Sequence, residues 1–115
     1  MVYADKTHIN RLFTNLILNA IQSVPDSKRP QIEVEEILKG DHVLVKIKDN
    51  GEGISEAVQS KIFAPNFTTK TSGTGLGLAM SKRIVEQANG SIWFETLEGE
   101  GTSFFVSLPV AAPGN

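Results

Sequence analysis

From Lys6 to Val24 apolar residues return at three- and four-residue intervals: Ile9, Leu12, Phe13, Leu16, Ile17, Ala20, Ile21 and Val24. That spacing gathers them on one face of a helix. Asp5 stands where an N-cap carboxylate would accept an orphan amide, and Pro25 stops the helix by excluding helical geometry at the residue before it. Ser23 to Pro30 reads as a polar loop. Gln31–Leu38 and Val43–Lys48 then alternate apolar and charged residues, as half-buried strands do, around a hairpin turn at Lys39-Gly40-Asp41-His42. A second helix is predicted from about Gly77 to Asn89, with Leu76, Met80, Ile84 and Ala88 four apart and Gly90 as its left-handed C-cap. Two strands close the pattern, Ser91–Leu97 and Thr102–Leu108, joined by Glu98-Gly99-Glu100-Gly101. The order is helix, hairpin, loop, helix, hairpin. It predicts an α+β domain with helices on one face of a largely antiparallel sheet. Between Asp49 and Gly75 the pattern breaks. Ser55 to Ser60 reads as one short helix, and Ala64 to Gly75 as a mobile functional loop.

Composition narrows this picture. The 115 residues are one domain, with a tail from about residue 110 to Asn115. The absence of cysteine excludes a disulfide scaffold and any thiolate metal site or nucleophile. Eleven basic and thirteen acidic residues, a net charge of −2, leave no footprint for nucleic acid. No apolar run approaches the length of a membrane span, and the first residues show no signal-peptide pattern. A cytoplasmic domain is expected. The ten glycines are the oddity, because five of them fall in two short clusters.

Four constellations carry candidate chemistry. Asn15 and Asn19 are four apart and share one ridge of the first helix. Two amide oxygens there suit a hard cation such as Mg²⁺, although the spacing equally describes two exposed or capping asparagines. Asp49-Asn50-Gly51-Glu52-Gly53-Ile54 follows a strand directly. Its glycines allow close backbone approach, and Asp49 is placed to accept a hydrogen bond from an exocyclic amine. The same run is also ordinary turn chemistry. Gly73-Thr74-Gly75-Leu76-Gly77-Leu78 leads into the second helix, where unpaired amides and the dipole favour phosphate. It matches neither the dinucleotide-binding spacing nor a Walker A loop. Finally, Phe63 and Phe67 lie within Ile62–Lys70, where they either pin a lid or simply join the core.

In this order and at this spacing, the segments resemble the catalytic ATP-binding domain of sensor histidine kinases. Asn15-Leu16-Ile17-Leu18-Asn19-Ala20 is similar to the N box, Asp49–Gly53 to the G1 box, Ile62–Lys70 to the F box and Gly73–Leu78 to the G2 box. Gly101-Thr102-Ser103-Phe104 resembles the closing G-T-x-F segment. The likeness runs from about Asp5 to Pro109. It implies the Bergerat fold of the GHKL superfamily, a two-layer α/β sandwich whose mixed, mostly antiparallel sheet is covered on one face by helices. In the roles it implies, Asp49 binds the adenine amino group and Asn19 with Asn15 holds Mg²⁺ against the triphosphate. Gly51 and Gly53 hinge the lid and admit ATP. Gly73, Thr74, Gly75, Leu76, Gly77 and Leu78 line the phosphates, Lys70 neutralises their charge, and Thr102 supports the adenine end. The hydrolytic relatives carry a glutamate at the position of Asn15. Asparagine does not accept a proton from water at neutral pH, so the γ-phosphate would be left for another nucleophile.

That nucleophile, in kinases of this type, is a histidine on a separate helical domain. Here the only histidines are His8 and His42, and neither has the surroundings of a phosphoacceptor. The resemblance therefore implies a catalytic half whose partner domain is absent from this chain, in a homodimeric parent that is either soluble or membrane-anchored, with a response regulator downstream. Neither nucleic acid nor membrane contact is expected of the domain itself. Asn66 and Gln22 depart from the common pattern of the F and N boxes. A degenerate, non-enzymatic relative and an anti-sigma-type serine kinase or hydrolytic ATPase share the fold. The intact ligand positions argue against the first, and Asn15 with Phe67-Thr68-Thr69-Lys70 against the second. Hydrogen exchange across Ala64 to Gly75 is expected to be fast without nucleotide and slowed by ATP. Exchange there as slow as in the strands, with no ATP present, would contradict the lid.

Overall fold

The computed structural model describes residues 6–63 and 76–109. Seven elements follow one another: α1 (Lys6–Gln22), β1 (Glu33–Lys39), β2 (His42–Lys48), α2 (Glu56–Gln59), α3 (Leu76–Gln87), β3 (Ser91–Leu97) and β4 (Gly101–Pro109). The four strands form one sheet in the order β1-β2-β4-β3. Each of its three ladders is antiparallel, and no parallel pair among the described residues makes the sheet mixed. The expected α+β sandwich forms, with α1 and α3 on one face.

The core lies between these layers. Leu12, Leu16 and Ala20 of α1 meet Leu78, Ile84, Val85 and Ala88 of α3 above Val45, Ile47, Phe104, Val106 and Leu108 of the sheet. Leu12 and Leu16 are fully buried, each contributing about 2 kcal/mol. Phe94 and Phe104 pack with ring centroids 5.8 Å apart, and Phe63 caps both at 6.1 and 6.4 Å. The opposite face of the sheet is open. There Trp93 stacks flat on Phe105 across the β3–β4 ladder, at 5.5 Å and 6°, and the Lys46 ammonium sits 5.8 Å from the Phe105 ring.

Several expected positions are corrected. On α3 the buried series is Leu78, Ser81, Ile84, Val85 and Ala88, while Met80 is exposed. The helix lies on the sheet along the face that carries Leu78, and Met80 is rotated about 200° from it. Ile21 is likewise exposed at the end of α1, where the stripe outruns the sheet beneath it. All of β1 is exposed, Val34 and Leu38 included, because the helices cover β2, β4 and β3 and stop short of this edge. Glu33, Glu35, Glu36 and Lys39 give that edge the charges that discourage strand pairing.

The turns follow local chemistry. In the β1–β2 hairpin Gly40 has φ +59° and Asp41 does not, the pattern of a type II′ turn. The His42 ring hydrogen-bonds the Asp41 carboxylate at 2.8 Å and holds its pKa below the usual value. At the end of α3 the left-handed residue is Asn89, with φ 61°, where Gly90 was expected. The Asn89 amide donates to Glu86 O at 3.0 Å and the Gly90 amide to Val85 O at 2.9 Å, a complete Schellman cap. Gly90 is required for another reason: a Cβ there would run into the Ser107 carbonyl oxygen and the Leu108 side chain. Gly90→Ala is therefore expected to destabilise the domain by about 1–3 kcal/mol through overpacking. Asn89→Gly should change stability by only a few tenths. Urea unfolding of the two variants measures the difference.

Candidate functional site

The face of the sheet that meets the helices is built in rows across the strands. Val45 of β2 pairs with Val106 of β4, which pairs with Ile92 of β3; Ile47, Phe104 and Phe94 make the next row. One step further along, the residues that period-two alternation sends inward are Asp49, Thr102 and Thr96. Apolar rows thus end in a polar one, at the mouth of the layer between sheet and helices.

Asp49 is 3% exposed. Its Oδ1 accepts the Gly51 amide at 2.9 Å and the Thr102 amide at 3.2 Å, while its own amide donates to Thr102 O at 2.9 Å. Two charge-assisted hydrogen bonds offset the desolvation of the carboxylate. Oδ2 takes no hydrogen bond from a described residue and is the oxygen left for a donor. Thr102 is also buried. Its Oγ1 lies 2.9 Å from Thr96 Oγ1, which accepts the Ile54 amide at 2.8 Å and reaches Gly101 O at 3.2 Å.

Three glycines let the chain close around this row. A Cβ on Gly51 would strike Ser23 at the end of α1, one on Gly53 (φ +79°) would strike Leu97 O, and one on Gly101 (φ +132°) would strike Asp49 O. The hinge role expected of Gly51 and Gly53 thus has a static reason beside it. Ser23 is held in turn by donation to Ala20 O at 2.8 Å, so α1 is anchored against the Asp49 loop. Asn19 lies one turn before that anchor; the Ser23 amide donates to Asn19 O at 3.0 Å. The Asn19 Nδ2 donates to Asn15 O at 2.9 Å, and Asn15 Nδ2 lies 3.7 Å from Met80 Sδ. Both amide nitrogens are engaged, and the two Oδ1 atoms take no hydrogen bond from a described residue.

The structure therefore joins Asp49, Gly51, Gly53 and Thr102 in one cluster and sets Asn19 and Asn15 along the adjoining helix. Leu78 is in the core at 7% exposure, and Leu76 and Gly77 open α3. Lys70, Gly73, Thr74, Gly75, Asn66 and Phe67 lie outside the described residues. Phe63, at the start of the F-box-like segment, packs on Phe94 and Phe104, and Lys82 Nζ lies 5.7 Å from its ring.

Two site residues escape a reading of motifs. Thr96 lies in a strand, ahead of the Gly99–Gly101 turn and outside every motif; the signal was a polar residue at an inward position after Ile92 and Phe94. Asn50 looked like turn chemistry and is a clamp. Its Oδ1 accepts the Gln31 amide at 2.8 Å, its Nδ2 donates to Arg29 O at 3.1 Å, and its carbonyl accepts Lys28 Nζ at 2.8 Å.

Comparison with known proteins gives one consistent answer. Residues 4–112 match the family described as "Histidine kinase-, DNA gyrase B-, and HSP90-like ATPase". The chain is 38% identical over 109 residues to sporulation kinase E of Bacillus subtilis, covering 95% of this chain and 15% of that protein. It is 40% identical over 115 residues to the signal transduction histidine-protein kinase AtoS of Escherichia coli, covering 99% and 19%. The sensor histidine kinase ZraS of Salmonella typhimurium is 40% identical over 112 residues, covering 96% and 24%. The chain thus spans under a quarter of the length of these relatives. Among solved structures, the catalytic domain of histidine kinase ThkA superposes with TM-score 0.80 at 37% identity, covering 92% of this chain and 68% of that one. The mycobacterial sensor histidine kinase MprB gives 0.81 at 25% identity, covering 94% and 76%.

Gly101→Ala tests the closure of the polar row. It is expected to cost about 2 kcal/mol or more, from the φ and the clash with the Asp49 carbonyl together, as read by thermal or urea unfolding.

Proposed function

Because the chain belongs to the family of histidine kinase-, DNA gyrase B- and HSP90-like ATPases, and its relatives are sensor histidine kinases, we propose that it binds Mg-ATP for phosphoryl transfer to a histidine on a separate phosphoacceptor domain. The observation that carries the reading is Asp49: a buried carboxylate fixed by two backbone amides through one oxygen, with the other left for a donor. Oδ2 accepts the adenine 6-amino group, and Thr102 lies beside it. The rigid frame around Oδ1 costs no reorganisation when the base arrives.

The triphosphate runs from there toward α1 and the start of α3. Asn19 and Asn15 offer hard amide oxygens of the kind Mg²⁺ takes, and their nitrogens are already engaged with Asn15 O and Met80. A magnesium ion held there would neutralise charge on the phosphates and orient them. The amides of Gly73, Gly75 and Gly77 and the α3 dipole favour the phosphate anion, with Lys70 adding a positive charge. In this reading Asn15 explains why the bound ATP is not spent on water. Its amide has no basic site at neutral pH, so Asn15 does not serve as a general base at the γ-phosphate. The acceptor is then a histidine on a helical dimerisation domain of a homodimeric parent, with a response regulator downstream. No described helix is long and apolar enough to cross a membrane.

Titration calorimetry should give Mg²⁺-dependent ATP binding, weakened by EDTA. Asp49→Ala should lose about 1.5–3 kcal/mol, the worth of a hydrogen bond to a charged group. No binding by the unaltered chain at millimolar ATP overturns the proposal. Steady-state phosphate release by the isolated domain should be slow, and rapid release favours a hydrolytic ATPase.

A further inference from the structure

The hydroxyl of Thr96 sits among three partners, and one assignment of protons satisfies all three contacts together. The Ile54 amide, at 2.8 Å, can only donate. The Gly101 carbonyl, at 3.2 Å, can only accept. Thr102 Oγ1, at 2.9 Å, can do either. A threonine hydroxyl has one proton and two lone pairs. Its proton goes to Gly101 O, one lone pair takes Ile54 N–H, and the second takes the proton of Thr102. Every group is then satisfied. The consequence falls on Thr102: its one proton is spent on Thr96, and its oxygen turns only lone pairs to the rest of the site. Asp49, whose Oδ1 accepts the Thr102 amide at 3.2 Å, adds a carboxylate acceptor to the same row.

We propose that Thr96 is a positioning residue that holds the Thr102 hydroxyl as an acceptor, so that the polar row selects a 6-amino purine over a 6-oxo purine. This rests on the reading of Asp49 and Thr102 as the adenine end of an ATP site. A 6-amino group brings two N–H donors to a wall of acceptors. A 6-oxo group brings lone pairs to the same wall and leaves polar groups unpaired, the situation that gives a site its strongest discrimination. Asp49 alone would prefer the amine. Thr96 removes a neighbouring proton that could otherwise turn around and compensate the oxo group. Without it Thr102 Oγ1–H becomes free to donate, and the discrimination weakens.

The test compares ATP with inosine triphosphate, which carries the 6-oxo group, by titration calorimetry. The unaltered chain should prefer ATP. Thr96→Val keeps the β-branched shape and removes the hydroxyl; the preference should fall about tenfold, the equivalent of one hydrogen bond. Thr96→Ser restores the hydroxyl and should restore the preference. In a Thr102→Val background, Thr96→Val should change the preference no further, since Thr96 acts through that hydroxyl. An unchanged preference in folded Thr96→Val, a serine variant that behaves like valine, or additive effects in the double variant each overturn the relay. If Thr96→Val fails to fold, Thr102→Val alone must lower the preference, and an unchanged ratio there overturns it. An unaltered chain that binds no ATP removes the proposed function itself, whereas ATP binding with an indifferent Thr96 removes only the relay.

Discussion

A carboxylate at the end of an apolar sheet face constrains everything near it. Asp49 continues the inward series of β2, and at that position it is taken from water almost completely. Such a group persists only if hydrogen bonds replace its hydration. The replacement comes from backbone: the amides of Gly51 and Thr102 on Oδ1, with the reciprocal bond from the Asp49 amide to Thr102 O. That demand brings β4 to the end of β2, turns the chain sharply at Gly51, and draws the Gly51 loop against the last turn of α1. The polar row is thus a by-product of satisfying one charge, and its geometry is set by the chain's own backbone.

The glycines follow from the same closeness. Gly51, Gly53 and Gly101 each stand where a Cβ would collide with backbone or with Ser23. Of these, Gly53 and Gly101 also have φ values foreign to other residues. A mobile lid and a tightly closed floor both call for glycine, and here the floor already accounts for those at positions 51, 53 and 101. Gly90 makes the same point away from the site. Its place after a helix suggested a cap, whereas Asn89 takes the left-handed turn and Gly90 yields room for the β4 backbone.

Much of this was legible in the chain. The helix from Lys6 and the four strands were readable because their apolar periods are long and regular. Asp49, Gly51, Gly53 and Thr102 were readable because they sit in recognisable runs. Less was visible where packing decides. The period-four series on α3 pointed to Met80, but the helix rests on the face of Leu78, Ser81 and Val85, a choice made by the sheet beneath it. Val34 and Leu38 alternate like half-buried residues, yet no described helix covers β1. Thr96 and Asn50 owe their importance to partners 42 and about 20 positions away in sequence, a relation no local pattern carries.

The single tryptophan of the chain belongs to the other side of this architecture. Trp93 alternates with Ile92 and Phe94, so the strand that sends those residues toward the helices turns the indole outward, flat against Phe105. Its emission is therefore a gauge of the β3–β4 ladder. It will change when the strands separate, whereas a ligand at Asp49, were one bound there, would lie across the sheet from the indole and leave it silent. A spectroscopist following intrinsic fluorescence would see the protein melt clearly, and a flat titration with nucleotide would say nothing about whether the site had filled.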